Sequence, residues 1–290
     1  PAWFCGVPGL QYNTTINHWH TCPNSGRINA SNPCSEYMFL DDSACNLASM
    51  NLMRFRKEDG KFDFQRFQAA CRIVFIAQEI LVDHACYPTR KIAQNSHVFR
   101  AIGLGYSNLG SLIMASGLPY DSDEARGLCG AITALMHGAA CLASIEMAAA
   151  VGPFEAYEAN REPMLQVMEM HWQKVDQIVG CPDYLLEAAR HTWDRVLAEG
   201  RRHGFRNAQM TVLAPTGTIS FMMDAQTTGI EPSIGLISYK TLVGGGYMKL
   251  VNTDVERALR ALGYDAGQRA EILAHVDATG AIEGAPGLAE

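Results

Sequence analysis

The sequence lacks the marks of several common protein classes. Its 290 residues carry 23 lysines and arginines against 30 aspartates and glutamates, a net charge of −7, so no basic surplus exists to grip a nucleic-acid polymer. Charged residues make up only 18% and apolar ones 48%, the reverse of the balance that keeps a chain disordered. No C-x-x-C pair occurs. The nine cysteines, at 5, 22, 34, 45, 71, 86, 129, 141 and 181, are odd in number and scattered, which argues against a stapled secreted framework and for free thiols in a reducing cytoplasm. The longest apolar stretch, Ala131–Val151, is interrupted by His137 and Glu146 and reads as a buried helix, so no membrane association is expected. Pro1–Cys5 has neither the basic start nor the apolar core of a signal peptide. With no initiating methionine and a loop-like final stretch, Gly284–Glu290, both ends read as cuts in a longer polypeptide.

What is present is a chain long enough to bury a substantial core. Its first sixty residues are rich in turn formers and predict an irregular segment with short strand-like pieces at Tyr37–Leu40 and Leu47–Leu52. From Phe62 the apolar residues fall at helical spacing: Phe64, Phe67, Cys71, Val74, Phe75 and Ile80 form one stripe to about His84. A strand is expected at Ala101–Tyr106 and a helix at Asn108–Ser116. A long helix follows from the acidic start Asp121–Glu124 to the stop at Gly152-Pro153. Further helices are expected at Arg161–Gln173, Pro182–Glu199, Asp254–Leu262 and Ala266–His275. Met210–Leu213 predicts a short strand that runs through Pro215–Ser220 into a helical turn at Phe221–Asp224. This alternation of strands and helices predicts an α/β fold.

Two segments carry candidate chemistry. Asn32-Pro33-Cys34-Ser35-Glu36 places an amide, a thiol and a carboxylate within five residues, and Cys45 follows eleven residues after Cys34. If the segment is extended, Asn32, Cys34 and Glu36 share one face. Such a trio suits a cysteine nucleophile or a cysteine radical, with Glu36 moving protons and Asn32 holding a hydroxyl. A turn with a buried free cysteine and a solvated glutamate fits the same residues. The second segment, Pro215-Thr216-Gly217-Thr218-Ile219-Ser220, joins a strand to a helical turn and offers free backbone N–H groups and three hydroxyls to an anion. An ordinary helix cap uses the same residue types.

The wider strings are more specific. NPCSEYMFLDDSACNLASMNL, Asn32–Leu52, resembles the active-site finger loop of class II ribonucleotide reductases, the adenosylcobalamin-dependent kind. Gln11–Asn17, His20–Ser31, Gly103–Gly110, Pro215–Ser220 and Thr228–Pro232 are similar to the same family, in the same order. The resemblance implies a part, spanning 1–290, of a ten-stranded α/β barrel with a central finger loop at about 29–52 and a phosphate-binding loop at 215–220. An upstream region and a C-terminal tail would be missing. It implies radical reduction of ribonucleotides to 2′-deoxyribonucleotides. Cys34 would become a thiyl radical that takes hydrogen from C3′ of the ribose, Glu36 would accept the 3′-hydroxyl proton, and Asn32 would hold the ribose hydroxyls. Cys45 would belong to the dithiol pair that supplies two electrons. Pro215, Thr216, Gly217, Thr218, Ile219 and Ser220 would bind the substrate phosphates. The implied partners are adenosylcobalamin, a ribonucleotide, a thioredoxin-like dithiol reductant and a second copy of the complete chain.

Other features weigh less. His18, His20 and Cys22 alternate as on a strand face, but no second ligand pair lies at suitable spacing, so no metal site is expected. Gly244-Gly245-Gly246 lacks the strand–helix context of a dinucleotide loop and reads as a flexible turn. Methionines 136, 147, 164, 168 and 170 read as core, and cysteines 71, 86, 129 and 141 as inert thiols on helices. Val7, and Ser233-Ile234-Gly235 after Glu231-Pro232, depart from the family style. The competing readings are a nucleotide-binding module without catalysis, a class I reductase-like chain, and a hydrolase with Cys34 as nucleophile and a histidine base.

Overall fold

A computed structural model describes residues 2–289. In chain order it contains α1 (Ala2–Cys5), α2 (Asn13–His18), β1 (Asn46–Asn51), a 3-10 turn at Leu52–Phe55, α3 (Phe64–His84), α4 (Arg90–Phe99), β2 (Ile102–Ser107), α5 (Leu109–Ala115) and α6 (Asp123–Val151). These are followed by α7 (Tyr157–Val175), α8 (Asp183–His203), α9 (Ile219–Met222), β3 (Ile237–Thr241), β4 (Tyr247–Val251), α10 (Asp254–Ala261) and α11 (Ala266–Thr279).

Helices begin where their caps stand. Asp63 accepts from the Arg66 N–H to start α3, Ser122 accepts from the Ala125 N–H to start α6, and Asp265 and Gln268 form a reciprocal box at α11. Helix α6 ends at Gly152, whose φ of +90° takes the chain out of the helix. It is long and apolar enough to cross a membrane, yet two thirds of its most apolar window is buried between α3 and α8. Helix α7 starts one turn earlier than its periodicity suggests because Pro163 is accommodated inside it. Proline cannot donate to the Ala159 carbonyl four residues back, and the Asn24 side chain donates to that oxygen instead at 2.7 Å.

The sheet is small and parallel. β1 pairs with β2 in register from Asn46↔Ile102 to Asn51↔Ser107. On the other edge of β2 runs 209–212: the Ile102 and Leu104 N–H groups donate to Gln209 and Met210, and the Val212 N–H donates to Leu104. Among the described residues this sheet does not close into a barrel. Mixed helix and sheet is the architecture observed. Two glycines of β2 explain the close packing: a Cβ on Gly105 would lie 2.5 Å from the Val212 carbonyl oxygen, and one on Gly103 would lie 2.4 Å from the Cys45 sulfur. Gly103→Ala is therefore expected to destabilise the fold by about 1–3 kcal/mol, read as a lower denaturant midpoint with an unchanged slope.

A buried ionic cluster aligns the third segment. Glu79 on α3 accepts from Arg100 and from Arg206 (2.8 Å) on one oxygen and from the Asn207 amide on the other. Arg100 also forks onto Asp83 with two 2.8 Å bonds, which hold the Asp83 carboxyl below the usual carboxylate range. Asn207 donates to the Arg100 carbonyl and accepts from Ser144 on α6.

Several expectations need correction. The first sixty residues contain helices α1 and α2, so His18 ends a helix and does not share a strand face with His20 and Cys22. Cys86 lies beyond the end of α3 and is exposed. Gly244–Gly246 is a turn, as expected, but it joins an unforeseen β3–β4 hairpin paired from Ile237↔Val251 to Thr241↔Tyr247, with φ of +88° and +86° at Gly245 and Gly246. Helix α9 begins two residues before the predicted Phe221. Helices α10 and α11 bury a separate small core around Val255, Leu259, Ile272 and Val276.

Candidate active site

The finger segment is a hairpin, not an extended strand. Ser31 and Met38 form an antiparallel bridge, the Asn32 N–H donates to Tyr37 at 3.2 Å, and the Ser35 N–H donates back to Asn32 at 3.0 Å. That last bond closes a four-residue turn over Asn32-Pro33-Cys34-Ser35, where Pro33 supplies the fixed φ of the second position. The Asn32 side-chain oxygen accepts the Tyr37 N–H at 2.9 Å, so half of this amide is spent on the turn. Ser35 follows at φ +67°, and Gln11 braces it at 3.1 Å. The alternation expected of Asn32, Cys34 and Glu36 is thus replaced by a tip that carries Cys34 exposed, with Asn32 and Glu36 partly buried on its two legs.

Beneath the tip, Tyr37 packs its ring into the core and donates its hydroxyl to Ser43 at 3.1 Å, which fixes the return leg ahead of Cys45. Cys45 sits against Gly103 at the start of β2. Burial first, and then the neighbouring Glu36 charge, push the Cys45 thiol up to about 12. It therefore stays protonated at neutral pH, the form that can give up hydrogen. Glu36 Oε2 is buried and makes no hydrogen bond among the described residues, a carboxylate oxygen left open for a hydroxyl or a water.

Measured by iodoacetamide labelling and peptide mass spectrometry, Cys45 is expected to react slowly at pH 8, with a thiolate fraction about a thousandfold below that of an ordinary thiol. Its rate should keep rising with pH until near 12. Glu36→Gln removes the second cause and should shift that profile to lower pH; an unmoved profile would separate the two groups.

The phosphate-loop candidate hangs from the far ends of the strands. Thr216 stands at φ +53° with its hydroxyl buried: it meets Ser107 at 2.8 Å and Ser220 at 3.0 Å and accepts the Gly229 N–H at 2.7 Å. Ser220 likewise turns to Ser107 at 2.9 Å. Two of the three hydroxyls expected to face an anion are therefore consumed inside. Pro215, Gly217, Thr218 and Ile219 are exposed, and among the described residues the N–H groups of Gly217, Thr218 and Ile219 enter no backbone hydrogen bond. The loop keeps its donors on the main chain.

Residues 107 and 108, at the β2–α5 junction, do more than the sequence reading assigned them. Asn108, at φ +73°, accepts from the Gln226 and Thr227 N–H groups at 3.0 Å each and donates to Asn51 at 3.0 Å. An asparagine after a glycine-bearing strand was the available signal, since asparagine tolerates the left-handed region.

A cavity of about 800 Å³ opens on the Glu36 side of the finger, walled by Trp19, His20, His137, His171 and Trp193. Cys34 does not line it. Burial lowers His171 to about 4 and His137 well below its ordinary value, so both rings are neutral, and His137 is bonded to Thr211 at 2.6 Å. The histidines of this cavity, His20, His137 and His171, share no wall with Cys34. Among the described residues no cluster of three metal-ligating side chains occurs, and all nine cysteines are free.

A family model described as ribonucleotide reductase, barrel domain, matches residues 1–290. A vitamin B12-dependent ribonucleotide reductase of Rhodopirellula baltica is 66% identical over 288 residues, covering 99% of this chain and 28% of that protein. A protein of the same description from Streptomyces avermitilis is 50% identical over 294 residues, covering 99% and 30%. A vitamin B12-dependent ribonucleoside-diphosphate reductase of Mycobacterium tuberculosis is 32% identical over 283 residues, covering 98% and 35%. The chain spans about a third or less of the length of these relatives. Matched from end to end by that model, the chain belongs to the ribonucleotide reductase family, within its barrel domain.

Proposed function

We propose that this chain is the part of a class II ribonucleotide reductase that carries the radical cysteine and the phosphate loop. The observation that carries the reading is local. An exposed thiol at a rigid turn stands two residues from a carboxylate with an unpartnered buried oxygen, and that carboxylate lies beside a second, protonated thiol.

The chemistry follows from these roles. Cys34, as a thiyl, takes the C3′ hydrogen of the ribose and becomes a thiol. Glu36 Oε2 accepts the 3′-hydroxyl proton, and Asn32, whose oxygen is spent on the turn, keeps its NH2 for a ribose hydroxyl. The C2′ hydroxyl leaves as water with a proton from the dithiol pair. Cys45 and a partner cysteine supply two electrons and become a disulfide, and Cys34 returns its hydrogen to C3′. The balance is ribonucleotide plus dithiol to deoxyribonucleotide, disulfide and water, after which an outside thioredoxin-like dithiol restores the pair by exchange. Adenosylcobalamin, bound in the complete enzyme, supplies the oxidising equivalent for Cys34, and the exposed position of that thiol fits delivery from outside this chain. The main-chain donors of 217–219 hold the phosphates, with Pro215, Thr216 and Ser220 shaping the loop. Cys45 at Gly103 and the loop's anchor at Ser107 are four residues apart on β2, about 13 Å of strand.

In the complete enzyme we place this chain within a ten-stranded α/β barrel of two halves, in a cytoplasmic homodimer. The alternative, a nucleotide-binding piece without catalysis, describes the isolated chain, which holds no disulfide partner for Cys45 among the described residues. The test is deoxynucleotide formation by the complete polypeptide with adenosylcobalamin, a dithiol and a ribonucleotide. Product is expected from the complete polypeptide and none from residues 1–290 alone. No product from the complete polypeptide contradicts the reading.

A further inference from the structure

We infer that Asn108 is a positioning residue for the phosphate loop, tying it to the ends of both parallel strands; the inference rests on the proposed role of 215–220. Asn108 is 1% exposed, and every polar atom of its side chain is engaged. Its oxygen accepts from the Gln226 and Thr227 N–H groups and lies 3.3 Å from the Thr227 hydroxyl. Its NH2 donates to Asn51, at the end of β1, and Asn51 in turn donates to the Met223 carbonyl at 2.8 Å, just past α9. One amide therefore joins the end of β1, the end of β2 and the stretch that returns beneath the loop.

The neighbouring contacts complete a cage. Ser107 receives Thr216 and Ser220 from the loop and donates to the Thr227 carbonyl, and Thr227 accepts the Ser111 N–H at 3.1 Å. The Gly229 N–H closes onto Thr216, and a Cβ on Gly110 would strike the Glu231 carbonyl oxygen at 2.5 Å. None of these groups is free to touch a phosphate, since each is already bonded within the protein. Their effect is to fix where the main-chain donors of 217–219 stand. A donor array held rigid before binding loses little freedom when the anion arrives.

A positioning role separates nucleotide binding from hydrogen transfer, because Cys45, with Glu36 beside it, sits at Gly103 near the start of β2, whereas Asn108 follows the end of that strand. The experiment uses the complete enzyme with adenosylcobalamin and a dithiol. KM and kcat are measured for the ribonucleotide, and the affinity of the free ribonucleoside is measured by competition. Asn108→Ala is expected to raise KM by at least about tenfold with kcat within about threefold, and to leave nucleoside affinity unchanged, since lost buried hydrogen bonds of ordinary strength are worth that factor. Asn108→Asp keeps the acceptor bonds to 226–227 and should recover part of the loss. Thr227→Val, nearly isosteric, removes one hydroxyl of the cage and should raise KM in the same direction by less, which serves if Asn108→Ala fails to fold. A fall in kcat with KM unchanged, or equal losses for nucleotide and nucleoside, overturns the inference while the loop assignment stands. A wild-type enzyme that binds nucleoside as tightly as nucleotide overturns the loop assignment itself and the inference with it.

Discussion

Cys34→Ala in the complete enzyme is expected to abolish deoxynucleotide formation, a loss on the order of a millionfold that removes the whole chemical acceleration. The size follows from the absence of a substitute. Among the described residues the other cysteines near the finger are set back from its tip: Cys22 is buried and Cys45 is partly buried. Only Cys34 is exposed on the finger turn. The same change should leave stability within about 0.5 kcal/mol, because the turn is closed by Asn32, Ser35 and Tyr37 and not by the Cys34 side chain. Circular dichroism and a denaturant midpoint check the fold. An unfolded variant, or one with undiminished turnover, contradicts the assignment.

The largest expected effect on stability lies elsewhere. Glu79→Ala should cost about 3–5 kcal/mol, a large part of the stability of an ordinary domain, and lower the melting temperature by on the order of 10 °C. Both Glu79 and Arg100 are nearly inaccessible, with side chains 8% and 6% exposed. Removing the carboxylate leaves Arg100 with only the half-exposed Asp83 as a carboxylate partner and takes one of two acceptors from the Asn207 amide. Because Asn207 and Arg206 lead into 209–212, the loss should spread to that segment along the edge of β2. Hydrogen exchange at Val212, whose N–H bonds Leu104, should rise with it. A melting temperature within a degree or two of the parent would show that the cluster is dispensable.

Much of the helical framework was legible because its signals are local. Asp63, Ser122 and Asp265 are caps that announce α3, α6 and α11, and Gly152-Pro153 announces a stop. The extended reading of 32–36 failed because periodicity says nothing about a single turn. Pro33 and the Asn32 amide made the turn readable in principle, and the alternation of side chains drew attention away from them. The hairpin at 237–251 was missed for a different reason: its strands are mostly exposed and carry no clean apolar alternation. The site divides in the same way. Cys34, Glu36 and Cys45 stand out by residue type and spacing. The inward turn of Thr216 and Ser220, and the cage around Asn108, depend on contacts between residues more than a hundred positions apart in the chain, which no local pattern encodes.

The most direct test of the account is turnover of a ribonucleotide deuterated at C3′ by the complete enzyme, with adenosylcobalamin and a dithiol. Hydrogen transfer to the sulfur of residue 34 predicts slower reduction than with the unlabelled substrate, and deuterium at C3′ of the deoxynucleotide formed. Reduction at an undiminished rate, with Cys34→Ala giving the same product, would contradict it.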